Sequence, residues 1–198
     1  MAGHKALLLV DLQNDFFPGG ALGIETGNEI VDVVNNYIEL FKKHNLPIFA
    51  TRDWHPPKTV HFEEKGGPWP DHCVQNTKGA EFHPSIKIPG NAIVLSKGTD
   101  PESHGYSAFE AHDESGKSFS EIMRDKDINT FYVAGLATDL CVRYSSIDAL
   151  KNGFNINVLV DAVRGVDPDE SKKTLEEIKE KYGSIKKFED VKKELEQQ

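Results

Sequence analysis

Short apolar runs alternate along this chain with stretches whose apolar residues recur every three or four positions. Residues 5–10 (KALLLV) form an uninterrupted apolar run that stops at Asp11. Residues 28–44 carry Ile30, Val33, Val34, Tyr37, Ile38 and Phe41 at helical spacing. Further apolar runs at 47–51 (PIFAT), 91–95 (NAIVL), 130–134 (TFYVA) and 156–160 (INVLV) predict strands. Helices are predicted at 140–152 and at 168–182, the second with Pro168 in its first turn and Gly183 as its C-cap. A short strand at 184–186 and a tail helix from Glu189 complete the pattern.

Strands that are apolar throughout are buried on both faces. Their alternation with helices predicts a single-domain α/β fold over residues 1–198, with a roughly six-stranded, mainly parallel sheet covered by helices on both sides. One long irregular stretch, 53–89, is rich in Gly, Pro, His and Trp. Loops of that length inside a domain usually carry function. In open α/β sheets ligands bind beyond the carboxyl ends of the strands. Asp11, Asp53, Lys97 and the turn 135–141 each fall just after a predicted strand. Four separate parts of the chain therefore send polar residues to one rim.

Charge narrows the range of partners. The chain carries 23 basic and 32 acidic residues, a net charge of −9. That disfavours a nucleic-acid partner. The longest apolar run is far too short to cross a bilayer, so no membrane partner is expected. The opening residues Met1-Ala-Gly-His-Lys5 lead straight into an apolar strand without the features of a signal peptide, which predicts a cytoplasmic protein. In that compartment the two cysteines, Cys73 and Cys141, are expected as free thiols.

Two constellations carry chemistry. In an extended Asp53-Trp54-His55, residues i and i+2 point to one side, so Asp53 and His55 can share an ion, and His72 can add a third ligand. Two imidazoles and a carboxylate suit zinc, iron or manganese and leave coordination positions open. His61 and Glu64 are further candidates in the same loop, whereas His4, His44 and His112 read as solvated surface residues. The second constellation is Gly135-Leu136-Ala137-Thr138-Asp139-Leu140-Cys141, which joins a strand to a helix. Thr138 or Asp139 can cap that helix. Cys141 then sits in its first turn, where free N–H groups and the helix dipole favour a thiolate and can hold an oxyanion. Cys73 is the rival nucleophile but lacks such a turn. Asp11 and Lys97 supply a proton acceptor and an ammonium at the same rim.

The order Asp11-Leu-Gln-Asn-Asp-Phe16, Asp53-Trp-His55, Pro70-Asp-His72-Cys73, Ser96-Lys97-Gly98 and Gly135-Leu-Ala-Thr-Asp-Leu-Cys141 resembles the isochorismatase-like cysteine hydrolases. It is most similar to the branch that deamidates nicotinamide and pyrazinamide. The resemblance implies a Rossmann-like sheet and an amidohydrolase releasing ammonia from a small carboxamide. It implies Cys141 as nucleophile, Asp11 as general acid and base, and Lys97 as third triad member. It implies Asp53, His55 and His72 as ligands of one divalent ion, zinc first, with iron and manganese as alternatives. A cis bond between Leu136 and Ala137 would aim the Ala137 N–H, with that of Cys141, at the oxyanion. Phe16, Trp69 and Tyr106 would wall the substrate ring. Some relatives have a fourth ligand, for which His61 and Glu64 are the candidates, and relatives range from monomers to homo-oligomers. Three readings compete: an amidohydrolase acting on another small amide, a non-haem iron oxygenase, and a catalytically silent binding module. The last two leave Cys141 and Lys97 without a task.

Overall fold

A computed structural model describes residues 4–197 of the chain. Six strands form one sheet: β1 (His4–Val10), β2 (Ile48–Asp53), β3 (Ile93–Lys97), β4 (Ile128–Leu136), β5 (Asn155–Arg164) and β6 (Ser184–Lys186). Their spatial order is β3-β2-β1-β4-β5-β6, and every neighbouring pair runs parallel. The helices are α1 (Val31–Lys43), α2 (Phe119–Asp125), α3 (Arg143–Lys151), α4 (Pro168–Glu180) and α5 (Phe188–Glu196). Among the described residues no helix is long and apolar enough to cross a membrane.

Alternation along β1 divides the core into two layers. Leu7 and Leu9 pack with Val34, Tyr37, Ile38 and Phe41 of α1 and with Val191 and Leu195 of α5. Ala6, Leu8 and Val10 face the other way, onto Phe119, Ile122 and Met123 of α2, Ile147 of α3 and Ile178 of α4. Both faces of the strand are therefore buried, as a continuous apolar run requires.

Several boundaries differ from the sequence reading, for identifiable reasons. The stretch expected to open a helix at residue 28 begins as a 3-10 turn, Gly27–Ile30, and no side chain caps the start of α1. Strand β5 continues to Arg164 because the polar Asp161 is satisfied inside it: Asp161 accepts from Tyr37 Oη at 2.9 Å and from the Phe188 N–H at 2.8 Å. Helix α2 was not anticipated, although Ser118 and Glu121 form a capping box at its start. Helix α4 ends differently too. The left-handed residue is Tyr182 (φ 68), one position before Gly183. The N–H groups of Tyr182 and Gly183 donate to Lys179 O and Ile178 O, a Schellman closure. Gly183 is needed there for space, since a Cβ would lie 2.4 Å from Ile178 Cγ2. Of the three histidines read as solvated, His4 and His112 are exposed, but His44 is half-buried and its Nε2 has no hydrogen-bond partner.

The chain builds β1, β2 and β3 outward in one direction, then returns to place β4 on the other side of β1. The carboxyl ends of β1 and β4 thus adjoin at a reversal of strand order, where α/β sheets open a crevice. Close approach at that point depends on Gly135, which pairs with Val10 at φ +123. A Cβ on it would stand 2.1 Å from Val10 O. Gly135→Ala combines overpacking with backbone strain and should cost about 3 kcal/mol or more. Gly153→Ala, also at positive φ but with open space around it, should cost about 1 kcal/mol. Denaturant titration of the two variants checks the difference.

Candidate active site and metal centre

Lys97, the last residue of β3, is completely buried and its ammonium faces three acidic groups. Nζ lies 2.8 Å from Asp11 Oδ2, donates to Cys141 Sγ at 3.3 Å and to Gly105 O at 3.0 Å, and pairs closely with Asp53 Oδ1. Asp11 follows β1, with Oδ1 accepting from Thr51 Oγ1 at 2.7 Å. Its Oδ2 is buried within ion-pair distance of Lys97 but receives no aligned hydrogen bond. Oxygens of Asp11 and Asp53 and the sulfur of Cys141 all lie within 4.8 Å of one another.

Asp53, the last residue of β2, joins this cluster to a second one. Its Oδ1 faces Lys97, while its Oδ2 lies 3.6 Å from His55 Nε2 and 3.9 Å from His72 Nε2. His55, His61 and His72 present ring nitrogens within 4.8 Å of one another. His55 Nδ1 pairs with Gly98 O at 3.1 Å and His72 Nδ1 with Pro70 O at 2.8 Å. A carbonyl only accepts, so both rings carry a proton on Nδ1 and turn Nε2 inward. The buried His55 Nε2 has no hydrogen-bond partner. An orphaned ring nitrogen among three imidazoles and a carboxylate fits a divalent cation. The side chain that completes the cluster is His61; Glu64 is exposed in the 3-10 turn Glu63–Lys65 and lies outside it.

Electrostatics follow from burial and this one cation. Burial pushes the Asp11 carboxyl up, with Lys97 opposing and Asp53 adding to the rise. Burial would also raise Asp53, but Lys97, with His55 and His72, holds it well below the usual carboxylate range. Burial by itself would pull the Lys97 ammonium down; Asp11, Asp53 and Cys141 together push it well up. The Cys141 thiol is raised by burial, opposed by Lys97 and reinforced by the two carboxylates. Residues Thr138–Val142 form a π-turn ahead of α3, and no side chain caps it. Asp139 instead accepts from the N–H groups of Val166 and Asp167 at 3.0 and 2.8 Å, tying the loop after β5 to this turn.

The Leu136–Ala137 peptide is cis. Ala137 and Cys141 line a cavity of about 340 Å³ together with Phe16, Trp69, Tyr106, Asp53, His61 and His72. Trp69 Nε1 donates to Tyr106 Oη at 2.8 Å, and Phe16 meets His72 edge-on at 5.7 Å between centroids. Asp11, Lys97 and His55 adjoin this cleft through their contacts with Cys141 and Asp53, whereas Glu64 stays outside it. A larger cavity, about 580 Å³, opens at the opposite strand ends beside Pro47, Ile93 and Lys126, and holds none of these groups.

Two supporting residues went unnoticed in the sequence. Gln13, fully buried, clamps the main chain of Asp53: Nε2 donates to Asp53 O and Oε1 accepts from the Asp53 N–H, both at 2.7 Å. Asp15 accepts from the Cys73 N–H at 2.7 Å and from the Ala21 N–H at 3.2 Å, fixing the loop that carries His72. Their signal was a polar run, Gln13-Asn14-Asp15, directly after a buried strand. Cys73 is fully buried on that loop, and burial raises its thiol well up.

Comparison with known proteins identifies the family. The isochorismatase domain model matches residues 5–190. The nicotinamidase of Escherichia coli is 40% identical over 178 residues, covering 82% of this chain and 84% of that protein. The nicotinamidase/pyrazinamidase of Mycobacterium tuberculosis is 37% identical over 179 residues, covering 88% and 94%. The crystal structure of Pyrococcus horikoshii pyrazinamidase in complex with zinc superposes with a TM-score of 0.87 at 45% identity, covering 93% of this chain and 99% of that one.

The imidazole cluster sets a pH limit on the metal-free protein. Burial, then His55 and His72, push His61 from 6.5 down to about 3. The unfolded chain therefore takes up a proton near pH 6.5 that the folded one refuses until about 3. Stability is complete above the upper value and declines as pH falls between the two. With chelator present, the urea midpoint should drop from pH 6.5 to 5, and His61→Phe should flatten that slope. Parallel profiles for the two proteins would count against the assignment.

Proposed function

The chain belongs to the isochorismatase family, and from that premise we propose that it hydrolyses nicotinamide to nicotinic acid and ammonia through a thioester on Cys141. The observation that carries this reading is the contact set of Lys97. One buried ammonium touches a thiol, a carboxylate that it pairs with at 2.8 Å, and a second carboxylate whose other oxygen faces His55 and His72. A cysteine amidohydrolase uses every one of those groups. An iron oxygenase would leave the thiol and its acid partner idle.

Each group has a task in the proposed reaction. The ring of the amide lies between Phe16 and Trp69, with Tyr106 held against Trp69. Asp53, His55 and His72, joined by His61, would hold the divalent ion, which we take to be zinc. When bound, the ion would supply a Lewis acid beside the cavity, which would favour amides with a ring nitrogen, such as pyridine and pyrazine amides. Asp11 Oδ2 takes the thiol proton as the Cys141 sulfur bonds to the carboxamide carbon. The N–H groups of Ala137 and Cys141 receive the oxyanion. Asp11 gives its proton to the departing nitrogen, the C–N bond breaks, and ammonia leaves. Water then attacks the thioester while Asp11 accepts its proton. The C–S bond breaks, nicotinic acid forms, and the proton returns to sulfur.

Lys97 makes this sequence workable in a dry site. Its charge offsets whichever of Asp11 and Cys141 is ionised, so the proton can pass between them without leaving a lone buried anion. We place the reaction in the cytoplasm, with a small amide as the partner and the single domain as the working unit.

Cys141→Ala should reduce ammonia release from nicotinamide by on the order of 10⁴-fold or more, as loss of a covalent nucleophile does. Metal content, read by elemental analysis, should be unchanged, because Cys141 is not among the clustered imidazoles. Cys73→Ala should keep most of the activity. Substantial turnover by Cys141→Ala, or its absence in Cys73→Ala folded with metal, would reject the assignment.

A further inference from the structure

One of the three clustered imidazoles uses its second nitrogen differently from the other two. His55 and His72 rest on backbone carbonyls, Gly98 O and Pro70 O. His61 rests on another side chain: its Nδ1 lies 3.0 Å from Nδ1 of His104. Two imidazole nitrogens at that distance share one proton, and which ring owns it decides what His61 can do. If His104 donates, His61 carries its proton on Nε2 and has no lone pair for the cluster. If His61 donates, its Nε2 lone pair points inward beside those of His55 and His72. Only the second arrangement suits a metal ligand.

We propose that His104 is a positioning residue for the metal site: it accepts the Nδ1 proton of His61 and so fixes the tautomer and tilt that present His61 Nε2 to the ion. The inference rests on the reading of His61 as a ligand. His104 is placed for this from outside the cluster, on the loop between Gly98 and Gly105. Both ends of that loop serve the site, since Gly98 O receives His55 and Gly105 O receives Lys97. The ring of His104 is itself oriented, stacking on Tyr106 at 14° with centroids 5.6 Å apart. Tyr106 in turn accepts from Trp69. His104 therefore links the ligand His61 to the aromatic wall of the cavity. Its outer face is exposed, so water can take over part of its hydrogen bond. The effect of losing it should lie at the low end of the range for such outer partners, about tenfold in metal affinity.

The experiment is chelator-competition titration of Zn²⁺ on purified full-length protein, comparing wild type, His104→Phe, His104→Asn, His61→Ala and the His61→Ala/His104→Phe double variant. Phenylalanine keeps the stacking on Tyr106 but removes the acceptor, and should weaken Zn²⁺ binding about tenfold. Asparagine puts an acceptor oxygen near the lost nitrogen and should restore affinity to near the wild-type value. In the His61→Ala background, His104→Phe should cause no further loss. The melting temperature of the metal-free proteins should not change, which separates positioning from a general structural role. Wild-type affinity in His104→Phe, or an equal loss with and without His61, would overturn the inference while leaving His61 as a ligand. Wild-type affinity in His61→Ala would instead remove the reading on which it rests.

Discussion

A single buried ammonium, that of Lys97, balances the charge of the whole cleft. It has no exposure, yet it meets Asp11, Asp53 and Cys141. A carboxylate taken out of water without a counter-charge is costly, and two side by side are worse. Without Lys97 the site could not keep both acids ionised in a dry cleft. The same charge makes Asp53 a bridge: one oxygen faces the ammonium and the other faces the imidazoles. The sulfur-bearing half of the site and the metal-binding half are thus one electrostatic unit.

The topology explains why these groups meet. Asp53 and Lys97 end neighbouring strands in register with each other, and Asp11 follows the strand beside them. Cys141 arrives from the far side of the strand-order reversal, where Gly135 lets β4 press against β1. The imidazoles come from a loop with little regular structure. That loop is held by buried polar clamps: Gln13 on the backbone of Asp53 and Asp15 on the N–H of Cys73. Gly98 completes the frame, since a Cβ there would stand 2.4 Å from His55 Cε1. A side chain at position 98 would therefore displace the ring from its carbonyl partner.

Much of this was legible in the sequence because burial on two faces leaves an unmistakable run of apolar residues. The five longer strands, the parallel sheet and the rim that gathers Asp11, Asp53, Lys97 and Cys141 followed from that pattern. What escaped it was decided by contacts distant in sequence. Asp161 looked like a strand end, but Tyr37 and the Phe188 N–H satisfy it inside β5. His61 and Glu64 were equal candidates on one loop, and only the fold turns one inward and the other to solvent. Helix α2 was short enough to pass unseen despite its capping box. The state of the Cys141 thiol could not be read from its place in a turn. Burial raises it, Lys97 opposes that rise, and the two neighbouring carboxylates add to it.

The central claim is that the sulfur of Cys141 carries the acyl group during turnover. Rapid mixing with saturating nicotinamide, acid quenching within a turnover and mass mapping of the digested protein tests it directly. A nicotinoyl adduct on the peptide containing Cys141, appearing with the first ammonia and decaying as nicotinic acid accumulates, is the expected result. An adduct on Cys73 instead, or ammonia release with no acylated peptide when product release of nicotinic acid lags behind it, would contradict the account.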